Sequence, residues 1–364
     1  MSHSEVRFTD KQWDRVIDNY SKWWNGELGR PILPLIISGA DPKRPMPKAP
    51  LLQYSNCGDF SIPAEDIIDR IDYELSCCEF YGDSFPCVFM AQFGPGIMAA
   101  FLGSDVETTK ETVWFYSKKQ IPINELHFTY NENNPWLQRI KDIYRAGMKK
   151  WGGEVCMGMT DIGGGMDILA SFLGTEGLLY EVSDNPKEVK RLCLEITELW
   201  IRYFREFEEI IKDQRVYSDW SQRLCEKPSY MLQCDFSYMI SHEMFKDFVT
   251  DDLASISATL DRAFYHLDGI GQIIHLDELL ALDNIKGIQW IPGSGEPETR
   301  DWSELCAKIS ASGKKLMMGY RMDKYLDDIL KAVKKPDDFI KMPFIYSMEE
   351  KETALKTLAK YGAM

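Results

Sequence analysis

The segment His266-Leu267-Asp268-Gly269 carries the pair of side chains in this sequence most suited to chemistry. It closes a run of strand length, Ala263 to Leu267, and residues at i and i+2 of a strand point to the same face. An imidazole and a carboxylate can then share one target at the strand's end. That arrangement suits a divalent metal or an acid/base pair. The same residues also fit a plainer assignment, in which His266 is a core histidine bonded to a backbone carbonyl and Asp268 caps the next helix.

Other polar residues sit directly after apolar runs. Asp161 follows Glu154 to Met159 and precedes three glycines, Gly163 to Gly165, whose backbone amides could hold an anion at the start of a helix. Gln92, Asp235, Gln289, Glu296, Tyr320 and Tyr346 stand at or just past further strand-like runs and are expected to orient a substrate. His266, Asp268 and Asp161 are the expected catalytic groups. His266, Asp268 and Glu296 are the candidate metal ligands. His275 lies close enough in sequence to reach the same site. His242 and Glu243 open a helix and are assigned to its N-terminus, while Trp23 and Trp24 read as packing residues. No dinucleotide fingerprint, Walker A sequence, G-x-S-x-G or H-E-x-x-H occurs.

The elements that must position these residues alternate. An amphipathic helix spans roughly Asp10 to Glu27, with Thr9 as N-cap, and a strand follows at Ile32 to Ile37. Residues 39 to 62, rich in Pro, Gly, Asp and Ser, read as a loop. Helices are expected at Ala64 to Phe80, Trp136 to Trp151, Pro186 to Asp213 and Ser241 to Leu260. Strands are expected at Cys87 to Ala91, Glu154 to Met159 and Tyr230 to Cys234, and Thr112 to Tyr116 suggests an inserted hairpin. The last third runs strand–helix four times: Ala263 to Leu267, Ile285 to Ile291, Lys315 to Met318 and Phe339 to Phe344 each precede a helix. Alternation at this pace implies a parallel sheet. It favours an α/β protein of one domain, residues 1 to 364: a (β/α)8 TIM barrel with residues 1 to 62 as an N-terminal helical extension. In such barrels, chemistry sits on the loops after the strands.

The chain has 364 residues and a formal net charge of -15. An acidic surface repels nucleic acid and anionic membranes. Nine cysteines are scattered without a C-x-x-C pair and read as reduced thiols of a cytoplasmic protein. No apolar run reaches the ~18 residues of a membrane span. A homodimer is expected on base rate alone.

The run Phe264 to Pro297 (FYHLDGIGQIIHLDELLALDNIKGIQWIPGSGEP) resembles the uroporphyrinogen decarboxylase superfamily, and within it the branch of corrinoid-dependent methyltransferases and their uncharacterised relatives. Ser241 to Val249 (SHEMFKDFV) and Thr160 to Leu173 (TDIGGGMDILASFL) support the resemblance, which covers roughly residues 80 to 362. It implies a (β/α)8 barrel. In the methyltransferase branch, zinc is held by a His and a Cys two residues apart and a Cys near the last strand. Here His266 matches the first position, Asp268 stands at the second, and Phe339 to Ser347 contains no cysteine. A harder His/Asp/Glu site is the corresponding expectation. The decarboxylase branch needs a basic cluster near the N-terminus, and Arg30 and Lys43-Arg44 are isolated.

The resemblance implies a methyltransferase that moves a methyl group from a small O- or N-methylated compound to a corrinoid supplied on a partner protein, with zinc as the candidate metal. The alternatives are a metal-free lyase or decarboxylase using His266 and Asp268 as acid and base, and a non-catalytic ligand-binding barrel.

Overall fold

The structure is a computed structural model that describes residues 5–293, 301–319 and 322–364. The helix Asp10–Asn25 starts where its sequence says it should. Thr9 accepts a hydrogen bond from the Gln12 backbone amide, and the Gln12 side chain accepts one from Thr9, a reciprocal capping box. Gly26, at φ +71°, ends it.

Twelve strands are described: β1 (Pro34–Ser38), β2 (Cys78–Gly82), β3 (Cys87–Val88), β4 (Asp105–Thr108), β5 (Val113–Tyr116), β6 (Cys156–Met157), β7 (Ser229–Gln233), β8 (Arg262–Asp268), β9 (Ile285–Ile291), β10 (Lys315–Met318), β11 (Phe339–Lys341) and β12 (Phe344–Ser347). Strands β7 to β11 form a parallel sheet in sequence order. Ile32 bridges Ile340, and β1 pairs with β12 in parallel, so the first strand lies beside the last. The last strand, expected as one segment, is split around Met342-Pro343, because proline offers no N–H to a ladder. Strands β3 and β6 pair in parallel, and β4 and β5 form the inserted hairpin.

The chain is thus a mixed α/β protein with parallel sheets. Among the described residues the pairing does not run as one ladder from β1 through β3 and β6 to β7. Side chains bridge those two steps instead. The Ser84 hydroxyl donates to the Leu35 carbonyl (2.7 Å), and the Tyr230 hydroxyl accepts from Ile162 N–H (2.7 Å). Two other expectations are corrected. The helix expected to reach Phe80 stops at Ser76, and Cys78–Gly82 becomes β2, antiparallel to β1. The helix expected over Ser241 to Leu260 is two, His242–Phe248 and Thr250–Ser257, which meet at Val249.

The sheet buries both faces, as parallel sheets do. Tyr230, Leu232, Ala263, Tyr265, Ile288, Leu316 and Met318 belong to a large core with the helices. On the opposite face Met231, Phe264, Met317 and Ile340 join Trp13, Val16, Tyr20 and Trp23 of the N-terminal helix. That helix is anchored where strands begin: Trp23 Nε1 donates to the Phe339 carbonyl (3.1 Å), and Lys315 Nζ donates to the Trp23 carbonyl (2.9 Å). It closes the amino end of the second core, leaving the carboxyl end for polar groups.

Candidate functional site

Strand register builds the site. Two residues beyond the apolar pair Met231 and Phe264, on the same face, stand Gln233 and His266. His266 is in register with Gln289 of β9, and Gln289 with Met317 of β10. A polar row, Gln233–His266–Gln289, therefore caps the apolar interior at the carboxyl end of three adjacent strands. Asp268 continues the same face one step further along β8, as its spacing predicted.

His266 is held on several sides. Its Nδ1 hydrogen-bonds the side-chain oxygen of the fully buried Gln289, whose amide nitrogen lies 3.0 Å from Met342 Sδ. The ring meets the edge of Trp220 at 5.2 Å and 85°. With Nδ1 as donor to Gln289, Nε2 faces Asp268 Oδ2 at 3.8 Å. Burial opposes protonation of His266, but the carboxylates of Asp268 and Asp235 outweigh it and raise its pKa above the ordinary histidine value. Asp235 follows β7 at the rim. It joins His266 and Asp268 in a group whose ligand atoms all lie within 4.8 Å of one another.

Asp161 stands behind this group, in the loop after β6. Two tyrosines fix that loop: Tyr144 Oη accepts from Thr160 N–H (2.8 Å), and Tyr230 Oη accepts from Ile162 N–H. The Asp161 carboxylate accepts from Gln233 Nε2 and Gly96 N–H, each at 3.4 Å. Burial, with the charge of Asp235, pushes its pKa up to about 6. The triple-glycine turn after it is a packing device. A Cβ on Gly163 would come 2.6 Å from Gly96 Cα, and one on Gly164 would come 2.1 Å from the Gln233 carbonyl oxygen.

The sequence reading missed Asp167, in the first turn of the helix Gly165–Leu173. Its carboxylate accepts from the backbone N–H of Asp235 (3.0 Å) and of Phe236 (2.7 Å), and so fixes the turn that carries Asp235. Burial, reinforced by Asp235, pushes its pKa up to about 7. Its only sequence signal was an acidic residue just past a glycine turn. Trp220 was missed for the same reason: its partner His266 is remote in sequence.

Gln92 lies in the 3-10 turn Ala91–Phe93. Tyr346 is buried in β12 opposite Ile37, its ring near Phe344. Glu296 and Tyr320 lie outside the described residues. His275 is fully buried, its Nε2 bonded to the Ser237 carbonyl (2.9 Å) and its ring stacked on Phe245, which makes it structural.

As a donor set, Asp235, His266 and Asp268 offer oxygen, nitrogen and oxygen. Three such ligands fit zinc or a similar divalent ion and leave a coordination position open, as catalytic sites require. None of the nine free cysteines belongs to the group, so a thiolate set does not fit. Beside Asp235 opens a cleft of about 480 Å³, walled by the β4–β5 hairpin, the helix Gly165–Leu173 and the turn after β7.

No family model and no curated protein matches the sequence. Among solved structures, the chain is similar to a methyltransferase from Methanosarcina mazei, with a TM-score of 0.52 and 12% identity over 88% of this chain and 96% of that one. At that identity the likeness is one of fold. No helix among the described residues is long and apolar enough to cross a membrane.

Proposed function

We propose that this chain is a methyltransferase built on a (β/α)8 barrel of the uroporphyrinogen decarboxylase type, in which β3 and β6 fill the arc between β1 and β7. It moves a methyl group from a small O- or N-methylated compound to a corrinoid on a separate protein. The observation that carries this reading is the His266, Asp235 and Asp268 group at the carboxyl ends of parallel strands, beside a cleft of small-molecule size. A likeness of fold to a methyltransferase over 88% of this chain supports it.

Demethylation breaks a carbon–heteroatom bond and leaves the electron pair on oxygen or nitrogen. An ether oxygen or a neutral amine must be coordinated or protonated as it leaves, whereas an ammonium nitrogen takes the bond pair and leaves as a neutral amine. Asp235, His266 and Asp268 would hold a divalent ion, and bound there it would act as a Lewis acid on the leaving atom. Gln289 fixes the His266 tautomer, so that Nε2 is the nitrogen presented to the site. Asp167 holds the Asp235 turn, and Gln233 and Asp161 complete the wall. The test is methyl transfer to added cob(I)alamin from a panel of methoxy compounds and methylated amines. Transfer by wild type and its loss in His266→Ala is the expected result; no transfer from any donor rejects the reading.

A second reading is favoured by the raised pKa of His266 and its placement against Asp268: a metal-free lyase in which this pair acts as acid and base. Metal content measured by mass spectrometry separates the two. Near-stoichiometric zinc in wild type that is lost in His266→Ala supports the metal-assisted reading, and its absence after incubation with zinc supports the acid/base one.

A further inference from the structure

The cleft beside Asp235 has a one-sided charge. Its only charged side chains among the described lining residues are Asp167 and Asp235, and no Lys, Arg or His lies among them. Thr112, Ser171, Thr175 and Gln233 add neutral polar groups, and its large apolar side chains include rings and a thioether: Trp114 and Phe115 from the hairpin, and Phe236 and Met239 from the turn after β7. Trp114 is 60% exposed and Met239 45% exposed, large apolar surface left open at a site rather than packed away. An anion entering this space would face two carboxylates with no counter-charge. A neutral methoxy compound would gain little from their charge. A quaternary or tertiary ammonium ion has few or no N–H groups, so charge and the faces of aromatic rings are what can recognise it, and both are present here.

We infer that the cleft takes a methylated ammonium cation. This rests on the methyl-transfer reading and narrows its donor from O- or N-methylated compounds to N-methylated cations. Asp167, ionised above its pKa of about 7, supplies the opposing charge, with Asp235 beside it when no metal ion holds that carboxylate, and Trp114, Phe115 and Phe236 supply the aromatic wall. The hairpin β4–β5 thereby gains a role, since it brings Trp114 and Phe115 to a cleft otherwise built from the strand-end turns and the helix Gly165–Leu173.

The test is calorimetric titration of wild-type protein at about pH 8, where Asp167 is ionised, with choline and with 3,3-dimethylbutan-1-ol, a neutral molecule of nearly the same shape. Choline is expected to bind about tenfold more tightly or better, the range that a charge set against carboxylates and ring faces gives. Trp114→Ala, a change at an exposed position that leaves the core alone, is expected to weaken choline severalfold and the neutral alcohol less. Asp167→Asn is expected to shrink the preference for choline. Equal affinity for the two ligands, a preference for the neutral one, or no binding by choline and a series of other methylammonium ions overturns the inference. The assay contains no corrinoid, so its outcome is separable from the parent reading. Choline binding without methyl transfer from any donor would keep the cation site and reject the methyltransferase. Methyl transfer from neutral methoxy compounds alone would keep the methyltransferase and reject the cation site.

Discussion

At the residue scale, the site turns on a histidine whose orientation is set by an amide. Gln289 is fully buried, and its side-chain oxygen accepts a hydrogen bond from His266 Nδ1–H. Replacing it with leucine keeps the volume but leaves that N–H without an acceptor and frees the ring to turn. Gln289→Leu is expected to lower metal affinity or turnover about 10- to 100-fold, the usual cost of removing a partner that orients a ligating histidine. Metal titration and steady-state kinetics would measure it, and an unchanged variant would show that packing against Trp220 alone holds the ring. Asp252, against the first residue of the helix Gly165–Leu173, offers a pH test. Its carboxyl accepts the Thr197 hydroxyl, yet burial pushes its pKa up to about 6. The ordinary unfolded value is near 3.9. The folded state therefore favours the neutral acid, and stability present at low pH is lost as pH rises through about 6. Above pH 7, the ionised side chain is a load of about 2 to 3 kcal/mol. Asp252→Asn is expected to be the more stable protein at pH 8 and to show a flatter melting temperature between pH 5 and 8. A pH dependence identical to wild type would count against this account. His266 and Asp268 were legible because strand periodicity alone puts them on one face. Asp167 was not, because its role depends on backbone amides of residues 235 and 236.

At the element scale, local pattern located most strands and helices, and the errors have a common cause. β9 and β10 fall on their expected bounds because each is a short apolar run between turns. Cys78–Gly82 continued a helical apolar pattern, and only its pairing with β1, over 40 residues earlier in the chain, makes it a strand. The break at Val249 and the split at Met342-Pro343 likewise follow from what the segments pack against or fail to donate to. The turn after β6 is the element most sensitive to a small change. Gly164 lies against the end of β7, and a methyl group there would meet the Gln233 carbonyl oxygen at 2.1 Å, a backbone atom that cannot swing aside. Gly164→Ala is expected to cost about 2 kcal/mol or more. Because Gln233 belongs to the polar row, ligand affinity should fall in the same variant. Gly174→Ala is a comparison at the next turn: nothing lies within 4 Å of its Cβ, although its φ of +76° carries backbone strain of its own. Melting curves of both variants with and without choline would separate strain from displacement: only Gly164→Ala should also lose the ligand-induced shift.

At the scale of the whole molecule, the sheet needs both faces covered, and the N-terminal helix covers the one that strands alone cannot close. Residues 1 to 62 were expected as the N-terminal extension of the single domain, and the helix Asp10–Asn25 within them packs into the interior. Trp13, Val16, Tyr20 and Trp23 are all 1% exposed or less and pack with residues from β6, β7, β8, β10 and β11. Trp23 lies at the centre of this arrangement. Its indole N–H bonds the Phe339 carbonyl, its ring meets Trp24 at 4.7 Å, and Lys315 Nζ lies 4.8 Å from its centroid. Trp23→Ala would open a large cavity and leave the Phe339 carbonyl and the Lys315 ammonium with a poorer environment. The expected loss is about 3 to 5 kcal/mol in denaturant unfolding. The polar row sits on the same face as this core, only two residues further along β7 and β8. A loosened core should therefore also slacken His266 against Gln289, so that metal or ligand affinity falls together with stability. If Trp23→Ala lost stability but kept full affinity, the carboxyl end of the sheet would be held by the helices outside it, and the N-terminal helix would serve folding alone.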